Sequence, residues 1–197
     1  MPETARIARI AALAAIVALA FCGTLAGAET SAASILAQLP VLTLDEDSTD
    51  VARLVGPVRA GDQVVLFFWS TYDRFSREEL PAVVRFYREH RGDRSVHLLT
   101  LNLVEMREGA QAVRGFLAKE APGLPVALDP SWRSLQRLQS IAHADGGSAL
   151  GLPTLAVLDA SGRIVAFHRG ATGRTYDILT RLIAAKPPSG RPPRERG

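Results

Sequence analysis

Six consecutive apolar, β-prone residues, Val64-Val65-Leu66-Phe67-Phe68-Trp69, constrain this chain more than any other feature. A strand with one wetted face alternates apolar with polar residues, and this one does not. The run reads as a strand buried on both faces, at the centre of a sheet covered by helices on each side. A helical pattern follows at once. Asp73 and Ser76 are both residues that favour helix N-caps, and Ser76-x-x-Glu79 fits a capping box. Leu80, Val83, Val84, Phe86 and Tyr87 then recur at helical spacing, with Pro81 inside as an expected kink and Gly92 as a stop.

The rest of the chain supplies matching pieces. Residues 29–38 read as a short lead-in, and Leu39 to Leu44 as a first strand with Asp45 to Ser48 as its turn. Val51 to Val58 is ambiguous. Val96 to Val104 is a second buried strand, Gly109 to Lys119 a helix, Val126 to Leu128 a short edge segment, and Trp132 to Ala142 a helix. Leu155 to Asp159 and Arg163 to His168, joined by Ser161-Gly162, form a hairpin, and Thr175 to Ala185 closes the chain as an amphipathic helix. The order is β-α-β-α followed by β-β-α: an α/β domain with a central mixed sheet and helices on both faces.

The N-terminus reads as an export signal. Arg6 and Arg9 precede 19 uncharged residues, Ile10 to Ala28, which end in Ala26-Gly27-Ala28. Cleavage after Ala28, an uncleaved membrane anchor, and a lipid anchor at Cys22 are the three readings of this segment; Phe21 before Cys22 speaks against the last. All three place the domain outside the cytoplasm, in the periplasm or an equivalent compartment, with the membrane touched only through that segment. The domain itself spans residues 39–185. Residues 186–197 are rich in proline and arginine and read as a disordered basic tail.

The formal net charge is +3. The leader contributes +1 and the tail +3, which leaves the body at −1. A near-neutral body carries no footprint for nucleic acid.

Three motifs carry a family resemblance. The segment Phe67-Phe68-Trp69-Ser70-Thr71-Tyr72-Asp73-Arg74-Phe75-Ser76-Arg77-Glu78-Glu79-Leu80-Pro81 resembles a pattern that reads roughly F-W-A-T-W-C-P-P-C-R-x-E-x-P. Leu128-Asp129-Pro130 is similar to an L-L-D-P-D-G segment, and Gly151-Leu152-Pro153-Thr154 through Gly162-Arg163-Ile164-Val165 is similar to G-x-P-T-x-x-x-x-D-x-x-G-R-I-V. Together they resemble the TlpA-like branch of the thioredoxin superfamily over about residues 39–185. The resemblance implies a thioredoxin-like fold with Pro153 as a cis-proline facing the start of the active-site helix. It implies that the backbone at Leu152 binds extended polypeptide by strand-like hydrogen bonds, a mode that needs no thiol.

The family's chemistry is the part that does not carry over. Asp73 and Ser76 stand where the resemblance would put two cysteines, and Cys22 is the one cysteine in the sequence. Thiol–disulfide exchange requires a thiolate nucleophile. Asp73 reads as a cap whose carboxylate takes the place of a thiolate in the field of the helix N-terminus. Ser76 would need a neighbouring base to act as a nucleophile, and the motif contains no histidine. No catalytic residue is expected.

The expected role is polypeptide binding, as an assembly or holding factor, through Trp69, Tyr72, Asp73, Arg74, Phe75, Ser76, Leu152, Pro153 and Thr154. One alternative is a thiol–disulfide oxidoreductase or peroxidase-related protein working with a partner's thiols. Another is a metal carrier. His90, His97, His143 and His168 lie far apart, show no paired spacing and have no thiolates beside them, so no metal site and no cofactor is expected. The glycines at 146 and 147 read as a loop rather than a phosphate cradle.

Overall fold

The computed structural model describes residues 31–103, 109–142 and 151–185. The export signal with Cys22, His143, Gly146-Gly147 and the basic tail lie outside the described residues. The elements are α1 (Ala32–Leu36), β1 (Pro40–Leu42), β2 (Ser48–Asp50), α2 (Val51–Val55), β3 (Gln63–Trp69), α3 (Arg74–His90), β4 (Val96–Asn102), α4 (Gly109–Glu120), β5 (Val126–Leu128), α5 (Arg133–Ala142), β6 (Thr154–Asp159), β7 (Ile164–Arg169) and α6 (Thr175–Ala184).

The strands form one seven-stranded sheet in the order β2-β1-β5-β4-β3-β6-β7. β4 pairs in parallel with both β3 and β5, while β3 pairs antiparallel with β6 and β6 with β7. This is an α/β thioredoxin-like architecture. β3 is buried at every position, as its unbroken apolar run requires. The pleat sends its residues alternately to the two faces. Val64, Leu66 and Phe68 pack with Ile35 and Leu36 of α1, Val51 of α2, and Leu135 and Leu138 of α5. Val65, Phe67 and Trp69 pack with Leu80, Val83 and Phe86 of α3, Val113 and Leu117 of α4, and Leu179 of α6. Burying one large apolar side chain is worth about 1.5–3 kcal/mol, so β3 anchors both halves of the core.

The structure departs from sequence expectation at four places. Ser48 leaves the turn and pairs with Leu42, because Thr43 and Asp47 already close that turn: Thr43 N–H donates to Asp47 O at 2.9 Å. Val126 to Leu128 is an interior strand, flanked by β1 and β4, and not an edge. α3 runs unbroken from Arg74 to His90 with Pro81 inside it. The Ser76–Glu79 capping box does not form, since both side chains are committed elsewhere, as described below.

Candidate functional site

The sheet register sets the site's location. Phe68 pairs with Thr154, so the chain leaving β3 toward α3 and the Gly151-Leu152-Pro153 segment entering β6 meet at one end of the sheet. Trp69 O accepts from Leu103 N–H at 2.8 Å, which holds β3 to β4 at that same end. The Leu152–Pro153 peptide is cis. Pro153 O accepts from Gly170 N–H at 2.7 Å, and Thr154 Oγ1 donates to Gly151 O at 2.5 Å, so the segment is tied down on both sides. Among the described residues, the Leu152 N–H and C=O enter no hydrogen bond.

The turn from β3 to α3 is knitted by three short polar side chains. Asp73 is the N-cap of α3, with extended backbone (φ −73°, ψ 117°), and its Oδ2 accepts from Ser76 N–H at 2.6 Å. Ser76 is fully buried, and its Oγ accepts from Ser70 N–H at 3.2 Å. Ser70 Oγ accepts in turn from Tyr72 N–H at 3.2 Å. The cap satisfies a helix-end donor and places a negative charge where the helix dipole favours one.

This arrangement is not that of an activated serine. Activation needs a base within hydrogen-bond reach of the hydroxyl. The Asp73 carboxylate is turned to the Ser76 amide, and among the described residues no histidine hydrogen-bonds to Asp73 or Ser76. His97 Nε2 lies 3.0 Å from Asp62 Oδ2, one residue before β3 and so at the opposite end of the sheet. His90 sits at the far end of α3 with its ring centroid 4.5 Å from that of Phe86. Among the described residues, no group of three or more His, Cys, Asp or Glu side chains is placed to hold a metal ion.

Glu79 has a role that the sequence did not reveal. It is only 4% exposed, and its Oε1 accepts from the backbone N–H groups of Thr172 and Gly173 at 2.6 and 2.5 Å. The carboxylate therefore clamps the loop between β7 and α6 onto α3. Thr172 Oγ1 accepts from Arg174 N–H at 3.0 Å, which carries the tie to the start of α6. Glu79 at the capping-box position was the available signal, but the partners lie more than ninety residues away.

The nine residues expected to touch a partner divide into two sets. Trp69, Pro153, Thr154 and Ser76 are buried. Trp69 is core: its ring lies 5.5 Å from that of Phe116, and its Nε1 is buried without a hydrogen-bond partner. These four shape the site from below, and their side chains do not offer a contact surface. Tyr72 (61% exposed) and Phe75 (52% exposed) do, together with exposed Arg74, half-buried Asp73 and half-buried Leu152. Tyr72 and Phe75 are two of the four large apolar residues exposed among those described, the others being Leu54 and Ile141. Two exposed aromatic side chains three positions apart at one helix start mark a contact site more than a scattered surface residue does.

No family model matches the chain. A curated relative, the sporulation thiol-disulfide oxidoreductase A of Bacillus subtilis (strain 168), is 29% identical over 104 residues, which is 53% of this chain and 57% of that protein. The chain thus spans little more than half the length of that relative. Among solved structures, StoA from Bacillus subtilis superposes with a TM-score of 0.54 at 23% identity, over 73% of this chain and 93% of that one. A secreted Mycobacterium tuberculosis disulfide oxidoreductase superposes with a TM-score of 0.56 at 20% identity, over 75% of this chain and 96% of the other. At such identities the likeness is one of fold. Among the described residues, no helix is long and apolar enough to cross a membrane.

Proposed function

We propose that this chain, a member of the thioredoxin-like superfamily, is an exported protein that binds a polypeptide partner without thiol chemistry of its own, as an assembly or holding factor. The observation that carries the reading is the replacement of a reactive helix start by a structural one. Asp73 caps the helix and Ser76 is buried under the turn, while Cys22 is the sole cysteine of the sequence and precedes the domain. A dithiol–disulfide cycle needs two thiols, and residues 39–185 supply none.

The polypeptide-binding surface outlives that loss because it depends on backbone and apolar contact. Leu152 offers a strand-type donor and acceptor beside the cis peptide. Tyr72 and Phe75 stand exposed at the adjacent helix start and supply apolar area to a bound segment. The thiol-disulfide oxidoreductase activity in the relatives' names belongs to those proteins; here the same scaffold would hold a chain without exchanging a disulfide with it.

Two experiments test this. A standard disulfide-reduction assay is expected to show no turnover by the protein, and turnover would overturn the reading. Asp73→Cys places one thiol at the helix start with no second thiol at position 76 to resolve a mixed disulfide. Expressed in the periplasm, it is expected to trap one or a few discrete partners, identified by mass spectrometry, and to lose them when a bulky side chain replaces Leu152. An accessible thiol in a folded protein that traps nothing would count against this surface.

A further inference from the structure

A second surface runs along α3, starting at Arg74, which it shares with the helix-start surface, and leading away from the Leu152 loop. Its first part, a depression of about 500 Å³, opens at Arg74, Arg77, Leu80 and Phe116. Its second, about 350 Å³, continues past Val84, Arg85 and Arg88. The two share Pro81 and Glu120, so they form one groove between α3 and the end of α4. The floor is apolar: Leu80, Pro81, Val84 and half-buried Phe116.

The charge along this groove is unbalanced once local pairs are removed. Glu78 is paired with Arg74 at 2.7 Å, Glu89 with Arg85 at 3.0 Å, and Glu120 with Lys119 at 3.4 Å. Arg77 and Arg88 are exposed and form no ion pair among the described residues. They stand eleven residues apart on the same stripe of α3 as Pro81 and Val84, roughly 16 Å along the axis at 1.5 Å per residue. An extended chain covers that distance in about five residues, and about six put both ends on one face.

We propose that this groove binds an acidic polypeptide segment, with apolar side chains on the Leu80–Pro81–Val84–Phe116 floor and carboxylates about six residues apart on Arg77 and Arg88. Charge complementarity selects the occupant. Every carboxylate lining the groove is already paired within the protein, and the two free groups are guanidinium ions suited to carboxylate recognition.

The probe is a fluorescein-labelled peptide with two glutamates about six positions apart and leucine and phenylalanine at the second and fourth positions after the first, so that all four side chains share one face of an extended chain. Fluorescence anisotropy at low salt is expected to show binding that is lost when lysines replace the glutamates. Arg77→Glu/Arg88→Glu, with folding checked by circular dichroism, is expected to weaken the acidic peptide about tenfold and to let the lysine peptide bind instead. Leu54→Ala, an exposed position on α2 across the sheet from this groove, is expected to leave binding unchanged. Equal binding of both peptides to the unaltered protein overturns the proposal. So does an unchanged affinity in the arginine double variant, or no binding of the acidic peptide up to about 1 mM, the range of very weak complexes.

Discussion

Ser76 places its buried hydroxyl 3.2 Å from the backbone N–H of Ser70, closing the turn between the central strand and α3. The group at this position is therefore an acceptor that satisfies a buried amide. Ser76→Ala leaves that N–H without a partner and is expected to destabilise the domain by about 1–3 kcal/mol. Asp73→Ala removes the helix cap and is expected to cost about 1 kcal/mol, while Asp73→Ser, which keeps an oxygen for the Ser76 amide, costs less. Urea denaturation midpoints of the three variants check this ranking. A Ser76→Ala protein as stable as the parent would show that water reaches the Ser70 amide.

Glu79 gives a second, separable prediction. One of its oxygens accepts two backbone N–H groups, and hydrogen bonds to a charged acceptor contribute about 1.5–3 kcal/mol. Glu79→Ala is expected to free the loop before α6, and amide exchange at Thr172 and Gly173 should accelerate well before exchange in β3. Glu79→Gln retains an acceptor oxygen and is expected to lie between the two. Uniform acceleration across the sheet would instead mean that the whole domain opens as one unit and that the loop has no independent freedom.

These two residues show which parts of the fold and site were legible in sequence. β3 was legible because burial on both faces leaves an unbroken apolar run, and the Asp73 cap because a local side-chain bond has a local signature. The hairpin around Ser161-Gly162 was legible for the same reason. Glu79 was not: its partners are backbone amides more than ninety residues on, and no pattern within α3 points to them. The interior position of β5 was hidden because a three-residue strand carries too little sequence to reveal what lies on either side. Trp69 is expected at the partner-binding surface, but the pleat of β3 sends it into the core beside Phe116. Of the surface expected at the helix start, the two aromatic residues the structure leaves open, Tyr72 and Phe75, follow the buried run directly.

Gly162 permits a close approach that no other residue tolerates. Its φ is +84°, and a Cβ there would lie 2.9 Å from both Ser31 O and Ile35 Cδ1, so the β6–β7 turn presses directly on α1. Ala32 N–H donates to Ala160 O at 3.1 Å across the same junction. Gly162→Ala combines backbone strain with overpacking and is expected to cost about 2–4 kcal/mol. Gly92→Ala is the control: its φ lies outside the left-handed region and nothing lies within 4 Å of the added carbon, so neither strain nor overpacking arises there. Thermal denaturation should therefore rank Gly162→Ala well below Gly92→Ala. Equal stabilities would mean that α1 and the turn both adjust without cost.

The link between α3 and α6 is predicted to depend on pH. Tyr176 donates its hydroxyl to Glu89 Oε2 at 2.5 Å, Arg85 Nε donates to Glu89 Oε1 at 3.0 Å, and the Arg85 guanidinium lies 4.0 Å from the Tyr176 ring centroid. The Tyr176 hydroxyl first, and Arg85 next, hold the Glu89 carboxyl below the usual carboxylate range. A depressed folded-state value means that the carboxylate's contribution is complete above the unfolded value, about 4.3 for glutamate, and is lost as pH falls through the folded one. Tyr176→Phe keeps the ring under Arg85 but removes the hydroxyl. It is expected to be less stable than the parent at neutral pH, with the gap closing in acid once Glu89 is protonated in both proteins. Glu89 and Arg85 are exposed and their pair is present in both proteins, so added salt should weaken it in both and leave the gap largely unchanged. Denaturation midpoints at neutral and acid pH, each with and without salt, check the assignment; a gap that persists unchanged in acid would place the tyrosine's contribution in its packing and not in the bond to Glu89.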